Sequence, residues 1–340
     1  MIVIQLLWAA LILYGIGRNK EGAPPLELKR TIALRGICAI EIMIGHIGLL
    51  TGNIFLYPNR KAGILFVGIF LMLSGYGLVY GYEHKQGYMK FFLIRRCWRL
   101  LLPAYLAYAL YVTFCAVVLN EMEWAALFDV TRFFHDTNWY VWEQMGFYIV
   151  FCLAYKIVPQ KTKAPSVVLF LSVIFVGIAF VTGMDMPYYG STLCFAFGMY
   201  YYQHEERFSQ AAAQYFRKLL VASGILLAAA MCMFFALGDR SVLGNPVARN
   251  IASTSFCMMV LLLLGKISVG NKVSYLLGKC SYEIFLVHPF VLAQLMKIDF
   301  ASQIVYSVVG ICISIVAAVI MHFILIMIWR LTEGIRKCTG

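Results

Sequence analysis

The amino-acid sequence predicts an all-α, polytopic transmembrane helical bundle. Of its 340 residues 62% are apolar and only 13% are charged, and the mean hydropathy is +0.81. A soluble domain carries about 25% charged residues, which help to cover its surface. Apolar segments of about the 20 residues needed to cross a hydrocarbon core recur along the whole chain. The lipid bilayer is therefore the solvent in which this chain folds.

The apolar segments number about eleven, and hydropathy places their ends to within a few residues. They cover about 2–16, 32–55, 64–82, 100–119, 139–158, 166–182, 188–202, 219–237, 247–264, 281–296 and 304–329. The first and the seventh are short, so a bundle of ten spans also fits. Residues 1–31 are predicted to form an amino-terminal anchor span and a cytoplasmic connection, and residues 32–340 one transmembrane domain.

Lysine and arginine are distributed unevenly between alternate connections. One set of connections, which includes residues 18–30 and 83–99, carries 21 of them, and the opposite set carries six. Cytoplasmic loops hold the excess of basic residues in membrane proteins. The amino terminus is therefore predicted to lie outside and the carboxyl terminus in the cytoplasm. The same topology explains the net charge of +12, so no nucleic-acid partner is expected.

Several ionisable side chains lie within the apolar segments. Each one costs a few kcal/mol to insert, so each is a candidate functional residue. They are Arg35, Glu41, His46, Glu143, Glu283, His288 and His322.

The second segment reads LRGICAIEIMIGH and places Arg35 and His46 eleven positions apart. At 100° per residue the two side chains share a helix face, about 16 Å apart along the axis. The orientation above puts Arg35 near the cytoplasmic interface and His46 near the middle of the membrane. Taken singly, the arginine could extend to the interface and the histidine could be a packed, hydrogen-bonded core residue.

Arginines also stand where the fourth segment begins, in the run IRRCWRLLLPAYL. Arg96 and Arg99 are neighbours at i, i+3 on one helix face, and Pro103 and Tyr105 follow just inside. The planar guanidinium group suits phosphate. An anionic ligand at the cytoplasmic mouth is one interpretation, and anchoring to lipid headgroups is the other.

Two later segments add candidates. Glu143 lies one turn inside the aromatic run Trp139, Tyr140 and Trp142, at a depth where an unpaired carboxylate is costly. In the run CSYEIFLVHPF, Ser281 and His288 are seven positions apart and so share a face. The proline after His288 frees a backbone carbonyl, which is common around buried polar sites.

In this order, these segments resemble the membrane acyltransferase-3 family, whose members O-acylate cell-envelope glycans and other acceptors. The resemblance covers residues 35–290 and combines five short elements, each weak alone. They are Arg35-x10-His46, the run FVGIFLMLSGYGL at 66–78, Arg96-x-x-Arg99 with Pro103 and Tyr105, Trp139-Tyr140 leading to Phe147-Tyr148, and Ser281-Tyr282 with His288. The amino-terminal span at 2–16 departs from the family pattern, as does the lack of an esterase-like domain after the last span.

The resemblance implies an O-acyltransferase that uses acyl-CoA, most commonly acetyl-CoA, and no metal. The donor phosphates would bind Arg96, Arg99 and Arg35, with Tyr105 beside them. His46 would act as general base or carry the acyl group, and sequence does not choose between these routes. The remaining candidates would orient His46, position the acceptor or stabilise the oxyanion; they are Tyr282, His288 and Glu143.

The resemblance also implies a location and partners. The chain would reside in a bacterial plasma membrane among its lipids, with a glycan or lipid-linked glycan as acceptor. A transporter or flippase for a lipid-linked sugar is the alternative, because intramembrane histidine, glutamate and arginine residues also form transport pathways. Against it, the sequence has no evident inverted repeat. A structural or sensor protein would leave the shared face of Arg35 and His46 unexplained.

Overall fold

A computed structural model describes residues 1–19, 24–136, 139–237 and 243–338. Thirteen α-helices make up most of this part of the chain, and the only strands in it are the pair β1, Gly17–Arg18, and β2, Ile267–Ser268. The helices are α1 Ile2–Tyr14, α2 Leu28–Thr51, α3 Tyr57–His84, α4 Phe92–Phe114, α5 Val130–Asp136, α6 Trp139–Ile157, α7 Ala164–Val181, α8 Leu193–Gln203, α9 Glu205–Leu237, α10 Gly244–Lys266, α11 Lys272–Lys279, α12 Ser281–Leu295 and α13 Gln303–Cys338.

Each of the eleven predicted segments coincides with one of these helices, so the helical membrane class is confirmed. The number of spans is not. Among the described residues seven helices are long and apolar enough to cross a membrane, namely α2, α3, α4, α7, α9, α10 and α13. An eighth span is possible if α11 and α12, which meet at a 77° bend, form one broken span. The 13 residues of α1 extend only about 20 Å, short of the roughly 30 Å hydrocarbon core.

Close helix packing fixes α2 and α3 at the centre of the bundle. A Cβ atom on Gly278 of α11 would lie 1.8 Å from the carbonyl oxygen of Ile32, so only glycine allows α11 to cross α2 there. A Cβ atom on Gly198 of α8 would lie 2.0 Å from the carbonyl oxygen of Met72 in α3. Small residues bring helix backbones close together in membranes. These two contacts set the positions of the helices that carry the candidate residues.

The carboxylate of Glu41 joins α1 to the bundle. It accepts hydrogen bonds from Trp8 Nε1 at 2.9 Å and from Asn59 Nδ2 at 3.2 Å. A further bond runs from Asn271 Nδ2 to the carbonyl oxygen of Leu11 at 2.7 Å. These partners satisfy a carboxylate that would otherwise be costly within a span. Glu41 therefore holds helices together and is not part of the site described below.

Candidate active site

A cavity of about 650 Å³ lies between α2, α3, α4, α6 and α12. Arg35 of α2 borders it together with Arg96 and Arg99 of α4. The two α4 residues lie in the first turns of a helix that begins at Phe92, so both point to one side. The structure thus brings three arginines from two distant parts of the sequence to one cavity.

The arginines retain hydrogen-bonding capacity toward this cavity. The Nε atom of Arg35 is buried and has no hydrogen-bond partner in the described part of the chain. Arg96 donates to the hydroxyl of Tyr88 and lies against the Tyr88 and Tyr148 rings, 5.5 and 6.0 Å from their centroids. Aromatic contacts of this kind hold a guanidinium in a fixed orientation. An anion with several oxygens is the ligand that such a set binds best.

The cavity is deep as well as charged. On α3 the residues that border it extend from Tyr80, near the helix end at His84, to Val67. At 1.5 Å per residue this is about 20 Å. Polar residues other than the arginines also border the cavity. Gln144 Nε2 donates to Ser74 Oγ at 2.8 Å there. An elongated ligand with one anionic end fits this shape.

His46 and His288 form a hydrogen-bonded pair, although 242 positions separate them in the sequence. His46 Nδ1 lies 2.6 Å from His288 Nε2, and their ring centroids are 4.8 Å apart. His288 is fully buried and His46 half-buried. His288 Nδ1 lies 2.8 Å from the carbonyl oxygen of Ile284. The structure therefore places His288 against His46, as expected for a residue that orients it.

These contacts determine which nitrogen of His46 is available. A carbonyl oxygen only accepts, so His288 Nδ1 carries a hydrogen and donates it to Ile284. In a neutral ring His288 Nε2 then has a lone pair, and it accepts from His46 Nδ1. A neutral His46 is left with the lone pair on Nε2, which is free to take a proton or attack a carbonyl carbon.

The histidine pair lies just beyond the deep end of the cavity, which Phe285 borders. His46 is 18 residues after Leu28 and five before Thr51, so it lies nearer the carboxyl-terminal end of α2 than its middle. Neither histidine is among the described residues that border the cavity. The ring of Phe285 does border it and lies 6.0 Å from the ring of His288, centroid to centroid. The three arginines therefore border the cavity, and the histidine pair lies next to it on the far side of the Phe285 ring.

Tyr282 borders the cavity, and among the described residues no hydrogen bond or ring contact joins it to His46. Its hydroxyl donates to the carbonyl oxygen of Leu100 at 2.9 Å. Tyr282 therefore fixes α12 against α4 and forms part of the wall. Ser281, its neighbour, also borders the cavity.

Two predicted site residues lie elsewhere. The hydroxyl of Tyr105 donates to the carbonyl oxygen of Leu127 at 3.1 Å, outside the cavity. Nine residues separate Tyr105 from Arg96, which is half a turn out of phase on a helix, so the two cannot face the same way. Glu143 accepts from Thr192 Oγ1 at 3.3 Å and faces α8. Its neighbour Gln144 borders the cavity instead.

Sequence reasoning missed several residues of this site. Gln144 had a detectable signal, because it is a polar residue in an apolar segment. Ser74 lies in the run at 66–78 that carries part of the family resemblance, but neither its type nor that of Phe285 marks it as a site residue, since hydroxyl and aromatic residues are common in spans. Glu283 and His322, each noted singly, pair with one another at 2.7 Å between Oε1 and Nδ1, joining α12 to α13.

The helical membrane fold, the arginine-lined cavity and the histidine pair together indicate a membrane enzyme. Comparison with known families identifies the class of enzyme. Residues 31–323, nearly the entire chain, match the family model described as "Acyltransferase domain". The chain belongs to the membrane acyltransferase-3 family and is a membrane acyltransferase. No curated protein and no solved structure matches it. The matched range includes the three arginines and both histidines of the site, and α1 lies before it.

Proposed function

We propose that this protein transfers an acyl group, most simply acetyl, from cytoplasmic acyl-CoA to a hydroxyl of a cell-envelope carbohydrate or a similar acceptor. The observation that carries the proposal is a cavity bordered by three arginines, with an oriented histidine pair next to it behind the ring of Phe285. Family membership favours an acyltransferase over the flippase considered above. The plasma membrane of a bacterium is the proposed location.

Acyl-CoA has the shape and charge that such a site suits. Its phosphates would bind Arg35, Arg96 and Arg99 at the cavity mouth. Its pantetheine arm would extend along the roughly 20 Å of α3 that borders the cavity. Ser74 and Gln144 offer polar contacts for the two amides of that arm. The thioester would then arrive at the end nearest the histidines.

The transfer step needs a base or a nucleophile, and His46 Nε2 is placed for either role. As a base it takes the proton of the acceptor hydroxyl, the oxygen bonds to the thioester carbonyl carbon, and the carbon–sulfur bond breaks. The departing CoA thiolate then receives the proton. As a nucleophile, His46 Nε2 bonds to the thioester carbonyl carbon while the carbon–sulfur bond breaks. The acceptor oxygen then bonds to the acyl carbon, the carbon–nitrogen bond to His46 breaks, and the hydroxyl proton passes to the CoA thiolate. His288 would keep His46 in the required tautomer in both routes.

Purified protein incubated with acetyl-CoA labelled in the acetyl group tests this proposal. Water can replace the acceptor, so the expected result is release of labelled acetate and free CoA, or label bound to the protein. A membrane fraction from the parent cell supplies natural acceptors for transfer. Failure to bind acetyl-CoA, with the protein folded, would remove the proposal.

Replacement of Arg99 by alanine is expected to weaken acyl-CoA binding by about 10- to 100-fold, because a charged hydrogen bond contributes about 1.5–3 kcal/mol. Arg96→Ala should have an effect of similar size. Binding is measured by calorimetry on protein in detergent.

Arg95 supplies the matched control. It belongs to the same cytoplasmic run but donates to the carbonyl oxygen of Tyr88 at 2.6 Å and is not among the described residues that border the cavity. Arg95→Ala should leave acyl-CoA binding within about twofold. Equal losses in the Arg95 and Arg99 variants would mean that these arginines only anchor lipid headgroups.

Tags at the two termini are expected to report from opposite sides of the membrane, with the amino terminus outside. The 21 to six distribution of lysine and arginine motivates this prediction. A membrane-impermeant label applied to intact cells and then to opened cells provides the measurement. Tags on the same side would require an even number of spans and would reject the proposed orientation.

A further inference from the structure

Three aromatic rings close the inner end of the cavity. They are contributed by Phe70 of α3, Tyr140 of α6 and Phe285 of α12, and all three border the cavity. In the predicted topology α6 begins, and α12 ends, on the outer side of the membrane. Of the residues that border the cavity, Tyr140 is the first on α6 and Phe285 is the last on α12, so both lie at the end of the cavity farthest from the cytoplasm. We call these three residues the aromatic partition.

The rings of the partition are in mutual edge contact. The Phe70 and Tyr140 centroids are 6.5 Å apart at 67°, and the Tyr140 and Phe285 centroids are 5.1 Å apart at 62°. Edge-to-face contacts of this kind are favourable and keep the rings in place. Phe285 is only 5% exposed, and its other edge meets the His288 ring at 66°. One ring therefore separates the cavity from the histidine pair.

We propose that Phe285, the member of the aromatic partition that contacts His288, limits the size of the acyl group that this enzyme transfers. The inference rests on the proposed function, since a thioester at the inner end of the cavity would present its acyl group to this ring. A two-carbon acyl group needs little room between the ring and His46. Each additional methylene must displace tightly packed aromatic atoms, and such differences are worth about 10- to 200-fold in kcat/KM.

A ring that only packs the core would behave differently. Its removal would lower the amount of folded protein and would reduce turnover of every acyl-CoA by the same factor. The ratio of kcat/KM for two donors of different length is independent of the folded fraction. That ratio is therefore the quantity to measure.

The experiment compares acetyl-CoA with butyryl-CoA, each labelled in the acyl group, and measures hydrolysis or transfer. We expect the wild-type protein to prefer acetyl by about 100-fold or more, given two extra methylenes. Phe285→Ala should lower this preference at least about tenfold, and Phe285→Leu should lie between. Phe285→Trp should strengthen it.

Phe147→Ala is the matched control, because Phe147 is 6% exposed and stacks on Phe195 at 4.3 Å, away from the cavity. Its donor ratio should equal that of the wild-type protein. An unchanged ratio in all three Phe285 variants, with acetyl-CoA still turned over, would overturn the role of the partition and leave the proposed function intact. A wild-type protein that binds no acyl-CoA would overturn both.

Discussion

Replacement of His46 by alanine is expected to lower acyl transfer by about 10²–10⁴-fold, the range that a positioned general base contributes. If the ring carries the acyl group, the loss is complete for the covalent route. The reason is that the Nε2 atom of His46 is the unpaired nitrogen of the pair, whereas both nitrogens of His288 are engaged. The measurement is turnover of labelled acetyl-CoA at saturating donor concentration.

His322 provides the comparison variant. It is also a half-buried histidine on a long apolar helix, and it also makes one short polar contact, to Glu283 at 2.7 Å. His322→Ala removes a comparable side chain and bond, and it should keep near-normal turnover per folded molecule. Near-normal transfer by His46→Ala would refute the assignment. So would equal loss in both variants with a lowered unfolding temperature.

Replacement of His288 by alanine is expected to reduce kcat by about 10²–10⁴-fold with little change in KM. The alanine variant no longer accepts the Nδ1 hydrogen of His46, so the neutral ring can place its hydrogen on Nε2 and lose the reactive lone pair. Acyl-CoA affinity should persist because His288 is not among the described residues that border the cavity lined by the arginines. Separate determination of kcat and of the donor dissociation constant checks this.

A glutamine at position 288 separates orientation from packing. Its amide oxygen can accept from His46 Nδ1, as His288 Nε2 does, so His288→Gln should recover at least about tenfold over His288→Ala. A leucine of similar volume fills the space without accepting and should not recover activity. Equal activity in the glutamine and leucine variants would mean that His288 contributes packing alone.

Local spacing accounts for the parts of this protein that the sequence predicted well. Hydropathy located a helix at every apolar segment, and the eleven-residue interval placed Arg35 and His46 on one face of α2. The same arithmetic would have excluded Tyr105, because nine residues turn a helix by half a rotation relative to Arg96. The prediction for Tyr105 was based on its residue type and did not take its position around the helix into account.

Local spacing could not predict contacts between helices that are far apart in the sequence. The bond between His46 and His288, the partition around Phe285 and the choice of Gln144 over Glu143 each depend on how helices are rotated and set against one another. Apolar residues surround every face of these helices, so periodicity does not identify the inward side. The predicted count of about eleven spans is not confirmed, because several of the predicted segments are helices too short to meet the length expected of a span.

The glycine contact between α11 and α2 constrains how the enzyme can move during turnover. If α2 slid along its axis by one residue, His46 would move by about 1.5 Å, which is enough to break its 2.6 Å bond to His288. The close contact of Gly278 with the backbone of Ile32 blocks that movement. The enzyme therefore cannot move an acyl group by sliding α2 along its own axis. Substrate must therefore reach His46 through rotation of side chains while α2 and α11 keep their positions. Turnover should survive cross-linking of α2 to α11.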